Sequence, residues 1–351
     1  MPTIASANVR RMRIPVDELD LDPLNPRIIV PEGATQVDLL TQLYEEEGLD
    51  ELVASFVESG YFEEEPLVVV RWGQRYRTVE GNRRLATLKL LLDPRLRTKV
   101  GVTGWPKLTA SQSGRLKTIP TVVYGKREDV IPFLGYRHIT GAKKWGPFQK
   151  ARFVAQLLDT GESLDHIQEL IGDTTQTTKK LYQDFVVYQQ ITEDLGMSPT
   201  AIRERFSLLE VALGQRPIKT HLGLPRRLPT SAVDQLVPDD YFDELREVTR
   251  WIFGDSDTGP VITESRDISR RLAKVIENED ALEHLRATND LDAAYERSGG
   301  EQQYLLRRLS AAERAVRDAA GLLPIYGTDP DVVAAVERLD LLVKGLRRQL
   351  T

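Results

Sequence analysis

The sequence predicts an α+β protein, with an N-terminal α/β domain followed by mostly α-helical middle and C-terminal regions. Three observations predict it. Residues 76–92 read as a strand, a tight polar turn and a helix. Short β-forming runs at 14–19, 67–70 and 119–124 flank that unit. Beyond Pro147, apolar residues recur at helical spacing.

The strand–turn–helix unit organises the rest. Tyr76 and Val79 are strand formers, Gly81 marks a turn or a close approach, and Leu85, Leu88 and Leu91 repeat along one helical face. Gly81, Asn82, Arg83 and Arg84 therefore stand at a helix N-terminus, where free N–H groups and the helix dipole favour an anion. Two arginines in a first helical turn oppose that dipole, and an anion would relieve the conflict. The competing reading is a surface turn whose arginines pair with nearby acids. Elsewhere, residues 36–59 read as an acidic helix interrupted at Gly48, 93–118 as an irregular insertion loop, and 129–136 as a short helix.

The stretch resembles the Gly-x-x-Arg-x-x-Ala signature of the ParB/sulfiredoxin-like superfamily. Asn25-Pro26-Arg27 resembles the family's opening turn, 52–60 its first helix, and 65–70 the strand before the motif. The resemblance covers about residues 10–155 and implies one α/β domain with a small mixed sheet. It assigns no activity, because the superfamily spans nucleotide switches, kinases, oxidoreductases and proposed nucleases.

Composition narrows the choice. The 351 residues have room for two or three domains, and we expect a loose leader at 1–13, a nucleotide-binding domain at 14–150, a helical DNA-binding domain at 151–228 and a helical C-terminal domain at 229–351. The chain has no cysteine, which excludes disulfides, thiolate metal sites and the cysteine chemistry of the sulfiredoxin branch. Four scattered histidines form no zinc pattern, so no metal ligand is assigned. No apolar run is long enough to span a membrane, and a cytoplasmic protein is expected. Net charge is −6, but basic residues cluster at 137–152 and 203–227, opposite in sign to an acidic run at 43–65.

The first basic cluster contains a second resemblance. Gly146-Pro147-Phe148 with Ala151 matches the latter half of the second ParB box, with proline at a helix start. The first half departs from it: Arg137-His138 stand near the family's Glu-Asn pair, and no arginine follows Thr140 at the expected place. In the family that pair serves magnesium and nucleotide. Arg137 keeps the attraction for phosphate and removes a magnesium ligand. Lys143 and Lys144 are the cations left to replace the missing arginine. The resemblance thus implies a nucleoside triphosphate, CTP or ATP, with magnesium as its accompanying ion, held by Gly81, Asn82, Arg83, Arg84, Arg137, His138, Thr140, Lys143 and Lys144. Trp145 reads as a core anchor.

Residues 164–183 resemble a helix-turn-helix with Gly172 at the turn; an ordinary helical hairpin is the other reading. Gln168 and Thr178 depart from the usual small and aliphatic residues. A second helix there would present Gln176, Thr177, Lys179, Lys180 and Gln183 to DNA. From residue 230 onward the pattern is helical, with apolar stripes at 301–320 and 330–350 suited to a core, a homodimer or a partner protein.

Three readings of the function follow. One is a nucleotide-controlled DNA-binding switch. A second is an enzyme on the same fold, an NTPase or phosphotransferase with Glu80 as candidate base, or a nuclease, for which a metal-binding acid cluster is missing. A scaffold role through the C-terminal helices is a third reading.

Overall fold

The computed structural model describes residues 9–140, 145–255, 257–299 and 301–350, with the backbone alone at Thr140, Glu301 and Gln303. The N-terminal region holds a five-stranded mixed sheet, and the rest is mostly helical. The strands are β1 (Arg10–Pro15), β2 (Leu19–Leu21), β3 (Leu67–Trp72), β4 (Arg75–Glu80) and β5 (Thr118–Tyr124), in the order β1-β5-β3-β4-β2. β1 pairs antiparallel with β5, β3 parallel with β5 and antiparallel with β4, and β2 parallel with β4. Arg10–Arg13, expected in the leader, instead form most of edge strand β1. Their side chains are exposed, so the run lacks the apolar alternation that announces a strand.

The acidic segment forms two helices, α1 (Gln36–Glu46) and α2 (Asp50–Ser59), because Gly48 adopts φ 56° between them. Helix α3 (Asn82–Leu92) lies between these helices and the sheet. Its Leu85, Leu88, Leu90 and Leu91 are buried with Leu39, Leu43, Phe56, Leu67 and Ile119. Each such side chain contributes about 1.5–3 kcal/mol by leaving water. The expected loop at 93–118 instead carries α4 (Pro94–Val100) and α5 (Ala110–Leu116). The Asp93 side chain accepts from the backbone of Arg95 and Leu96, and Thr109 and Gln112 form a reciprocal capping box. Helix α6 (Ile131–Gly135) runs into a π-helical turn, Tyr136–Thr140.

Three helices follow: α7 (Pro147–Asp159), α8 (Leu164–Ile171) and α9 (Thr177–Glu193). α9 is surrounded on most of its faces, with Leu181, Tyr182, Val186, Val187 and Ile191 buried. Phe148 of α7 meets Tyr188 of α9 and Phe206 edge-on at 5.1 and 5.4 Å. The segment after Leu222 returns to this core. Buried Gln190 donates to Val237 O at 2.9 Å and accepts from the Leu236 and Val237 N–H groups, and Leu164 N–H bonds Thr230 O.

Two compact units result. The first runs to Gly214 and takes in Leu222–Thr249; the second is Gln215–His221 with the chain from Arg250 onward. Within the second unit Trp251, Ile268, Leu272 and Leu285 are buried. Its last two long helices, Glu301–Ala320 and Pro330–Arg348, expose Leu305, Leu309, Val316, Val336 and Leu342.

Candidate functional site: a cleft at the Gly81 turn

β4 ends at Glu80, and the sheet is bulged opposite it, between Val68 and Val69. Gly81 then turns the chain into α3 at φ 99°. A Cβ there would collide with the Leu67 side chain and lie 2.9 Å from an Arg84 guanidinium nitrogen. Both the backbone angle and the space therefore require glycine. Asn82 follows as a buried clamp. Its Oδ1 accepts from Asp22 N–H at 3.0 Å and its Nδ2 donates to Thr78 O at 2.7 Å. Its side chain, expected at a phosphate, is occupied in tying the Asp22–Asn25 turn to β4.

The turn opens on a cleft of about 470 Å³, whose walls include Arg27, Phe56, Phe62, Arg83, Arg84, Arg137 and Trp145. That volume lies in the range of small-molecule sites. Four arginines from three separate segments line it, Arg27 among them with its side chain paired to Glu47. Arg83 donates to Gly48 O at 3.0 Å and lies 3.4 Å from the highly exposed Glu51 carboxylate. Arg84 donates to the Tyr61 hydroxyl at 3.0 Å and to Glu65 O, and lies 3.6 Å from Glu80. Arg137, brought in by the π-turn, meets Glu65 at 2.9 Å and Glu80 at 3.3 Å. π-Helical irregularities of this kind occur often at functional sites.

Glu80 is the hub. His138 Nε2 lies 2.9 Å from its carboxylate. Burial would raise the Glu80 pKa, but the His138 hydrogen bond and the charges of His138, Arg84 and Arg137 hold it below the ordinary value. A carboxylate so held is a counter-ion to the arginines and a weak base. Burial pushes the Tyr61 phenol up to about 12, opposed by the neighbouring Arg84 charge, so it stays neutral and donates to Glu65 O at 2.6 Å. Trp145 is buried, as expected of a core anchor, and its ring lies flat on His138 at 4.0 Å and 2°.

The cleft thus brings together Glu80, Gly81, Asn82, Arg83, Arg84, Arg137 and His138 from the sequence analysis. Lys143, Lys144 and the Thr140 side chain lie outside the described residues. The arginines of the turn face a cleft, and each also has an acidic partner, as the surface-turn reading expects. Sequence reasoning missed Tyr61, Phe62 and Glu65. They lie at the end of the acidic run 43–65, and only the fold brings them opposite α3. Among the described residues, no group of three or more His, Asp or Glu side chains is disposed to hold a metal ion.

The α8–α9 region is a separate candidate surface. Gly172 ends α8 at φ 73°, and Asp173 accepts from the N–H groups of Thr175 and Thr178 at 2.8 and 2.7 Å. Gln176, exposed, adopts a left-handed φ of 59° immediately before α9. The Thr177 hydroxyl lies 2.8 Å from that of Thr175. Lys179 pairs with Asp165 at 2.8 Å and Lys180 with Glu210 at 3.4 Å, and both remain partly exposed. Gln183 corrects the expectation of a DNA contact. It is buried and donates to Leu213 O at 3.3 Å, because α9 packs on more faces than a surface helix does.

No family model matches the chain, and no curated protein matches it. Among solved structures, it is similar to the C-terminally truncated chromosome-partitioning protein ParB from Caulobacter crescentus complexed with CTP-gamma-S. The identity is 16%, over 59% of this chain and 93% of that one, with a TM-score of 0.23. A likeness of that degree places the chain in no family.

Proposed function

We propose that the Gly81 cleft binds a nucleoside triphosphate and that the α8–α9 pair docks on DNA as a helix-turn-helix, the two sites acting together as a ligand-controlled switch. The observation that carries the reading is the convergence of Arg83, Arg84 and Arg137 on one cleft at a helix N-terminus. Charge-assisted bonds from guanidinium groups and free helical N–H groups are the means by which proteins hold phosphates. The phosphates take the place of the acidic partners that the arginines now hold. If magnesium accompanies the nucleotide, Glu65 and Glu80 are the carboxylates nearest to hand, and it would supply charge neutralisation between phosphate oxygens. Both are engaged with arginines, so the arginines are the primary phosphate contacts.

On the DNA side, exposed Gln176 and half-exposed Lys179 and Lys180 support the reading. The lysines contact phosphates and Gln176 faces base edges. The enzyme alternative has Glu80 as its base, and the arginine and histidine contacts that lower its pKa count against that role. Titration calorimetry with CTP, ATP, GTP and UTP, each with and without duplex DNA, tests the proposal. Binding of one nucleotide, changed in affinity by DNA, is the expected result. Absence of binding to all four at millimolar concentration rejects it.

A further inference from the structure

One apolar side chain of the cleft is only half-buried. Phe62 lines the wall with 51% of its surface exposed, although an apolar ring gains by leaving water. Its position is fixed on three sides. Glu65 N–H bonds Phe62 O at 3.2 Å, closing a turn over 62–65. The Tyr61 hydroxyl and Arg84 both donate to Glu65 O, anchoring the far end of that turn. Arg13 pairs with Glu63 on its outer side. The preceding ring, Tyr61, is stacked on Phe56 at 5.6 Å and so belongs to the core. Phe62 is thus an exposed aromatic held on a braced turn, in the wall of a cleft whose other lining groups include four arginines. The same turn carries Glu65, whose carboxylate meets Arg137 at 2.9 Å.

A ligand that satisfies both features carries an anion and a flat ring. We infer that Phe62 is the stacking platform for the base of the nucleotide, so that the cleft recognises a phosphorylated heterocycle and not a polyphosphate as such. This rests on the nucleotide reading of the cleft. It assigns the phosphates to the arginines and the ring to the 62–65 turn. An aromatic platform accepts any base through its π-face, so Phe62 sets the class of ligand and not the identity of the base.

The test compares a nucleoside triphosphate, chosen as the tightest of the four, with inorganic tripolyphosphate as the probe that lacks a ring. Phe62→Ala is expected to weaken nucleotide binding roughly ten- to a hundredfold, the usual scale for removing a base–aromatic stack. It is expected to leave tripolyphosphate affinity unchanged. Phe62→Trp restores nucleotide binding, and its added indole fluorescence is quenched by nucleotide but not by tripolyphosphate. Because Phe62 is half exposed, circular dichroism of both variants should match the wild type. Unchanged nucleotide affinity in Phe62→Ala, or an equal loss for both ligands, overturns the inference while the nucleotide reading stands. A wild type that binds neither nucleotide nor tripolyphosphate removes the nucleotide reading, and the inference with it.

Discussion

Arg83 is the arginine of the cleft best placed to change partners. Its charged neighbours are the exposed Glu51 at 3.4 Å and Glu47 at 3.9 Å, and its one close bond is to a backbone carbonyl. The Glu51 pair is exposed and contributes little to stability, and the contact with the more buried Glu47 is long. Arg83→Ala should therefore leave folding nearly intact and weaken nucleotide binding roughly ten- to a hundredfold, the worth of one charge-assisted hydrogen bond. Calorimetry on the variant checks both parts. Glu80 is the opposite case, since its carboxylate joins Arg84, Arg137 and His138. Its folded pKa lies below the ordinary value of 4.5. Stabilisation from the ionised form is thus complete above that value and is lost as pH falls through the lowered one. Urea denaturation in steps below about pH 5 should show that loss in the wild type and a shallower slope in Glu80→Gln. At neutral pH the glutamine variant should already be less stable, by about 1–3 kcal/mol for a charged hydrogen bond removed.

At the scale of elements, the sequence spoke most clearly where structure is local. The Gly81 turn and the periodic leucines of α3 are set by backbone angles and helical spacing within a dozen residues, and both formed as expected. α4 and α5 carried readable signals as well, in Asp93-Pro94 and in Thr109 with Gln112. They read as a loop because one or two turns of helix leave too little periodicity to recognise. The role of Asn82 was not legible, because Asp22, whose N–H its side chain accepts, lies 60 residues upstream. Gln183 misled for a related reason. Its place beside Lys179 and Lys180 suggests an outward face, yet α9 is covered by α7 on one side and by the returning segment near Val237 on another.

Gln176 leads the chain into α9 at a left-handed φ of 59°. A non-glycine residue in the left-handed region costs about 1–2 kcal/mol, and such strain concentrates at functional sites. Gln176→Gly should raise stability by about 1 kcal/mol while altering preference among DNA sequences, because it removes the side chain assigned to base edges. Lys179→Glu with Lys180→Glu should weaken binding to every duplex. Removing each lysine–phosphate pairing should reduce the log–log salt slope by about 0.9. Gel shifts over a salt series separate the two effects. Equal behaviour of all these variants would mean that α9 is a packing helix and not a reading one.

At the scale of the first unit, the cleft and α9 are joined by packed rings. Glu80 holds His138 at 2.9 Å, His138 lies flat on Trp145, and Trp145 meets Phe153 of α7 edge-on at 5.0 Å. From α7, Phe148 reaches Tyr188 of α9. Anything that draws Arg137 or Arg84 away from Glu80 alters the charge around Glu80 and hence the hydrogen bond that orients His138. The 4.0 Å stack of His138 on Trp145 is the contact through which such a change would have to reach the start of α7. Rings packed this closely move by repacking and not by gradual deformation. If the two sites are coupled, linkage requires that DNA change nucleotide affinity by the same factor as nucleotide changes DNA affinity. Trp145→Leu keeps an apolar side chain in the core but removes the flat surface beneath His138. It should cost some stability, since a buried indole is removed. The decisive measurement is a thermodynamic cycle: nucleotide affinity with and without duplex, and duplex affinity with and without nucleotide. In the wild type the two ratios should agree and lie within the roughly 5- to 150-fold range typical of coupled sites. In Trp145→Leu, at a temperature where the variant is folded, each ligand should still bind and both ratios should fall toward about 1. If the variant keeps the wild-type ratio, the aromatic series is only core packing, and coupling must pass through some other route between the sheet domain and α9.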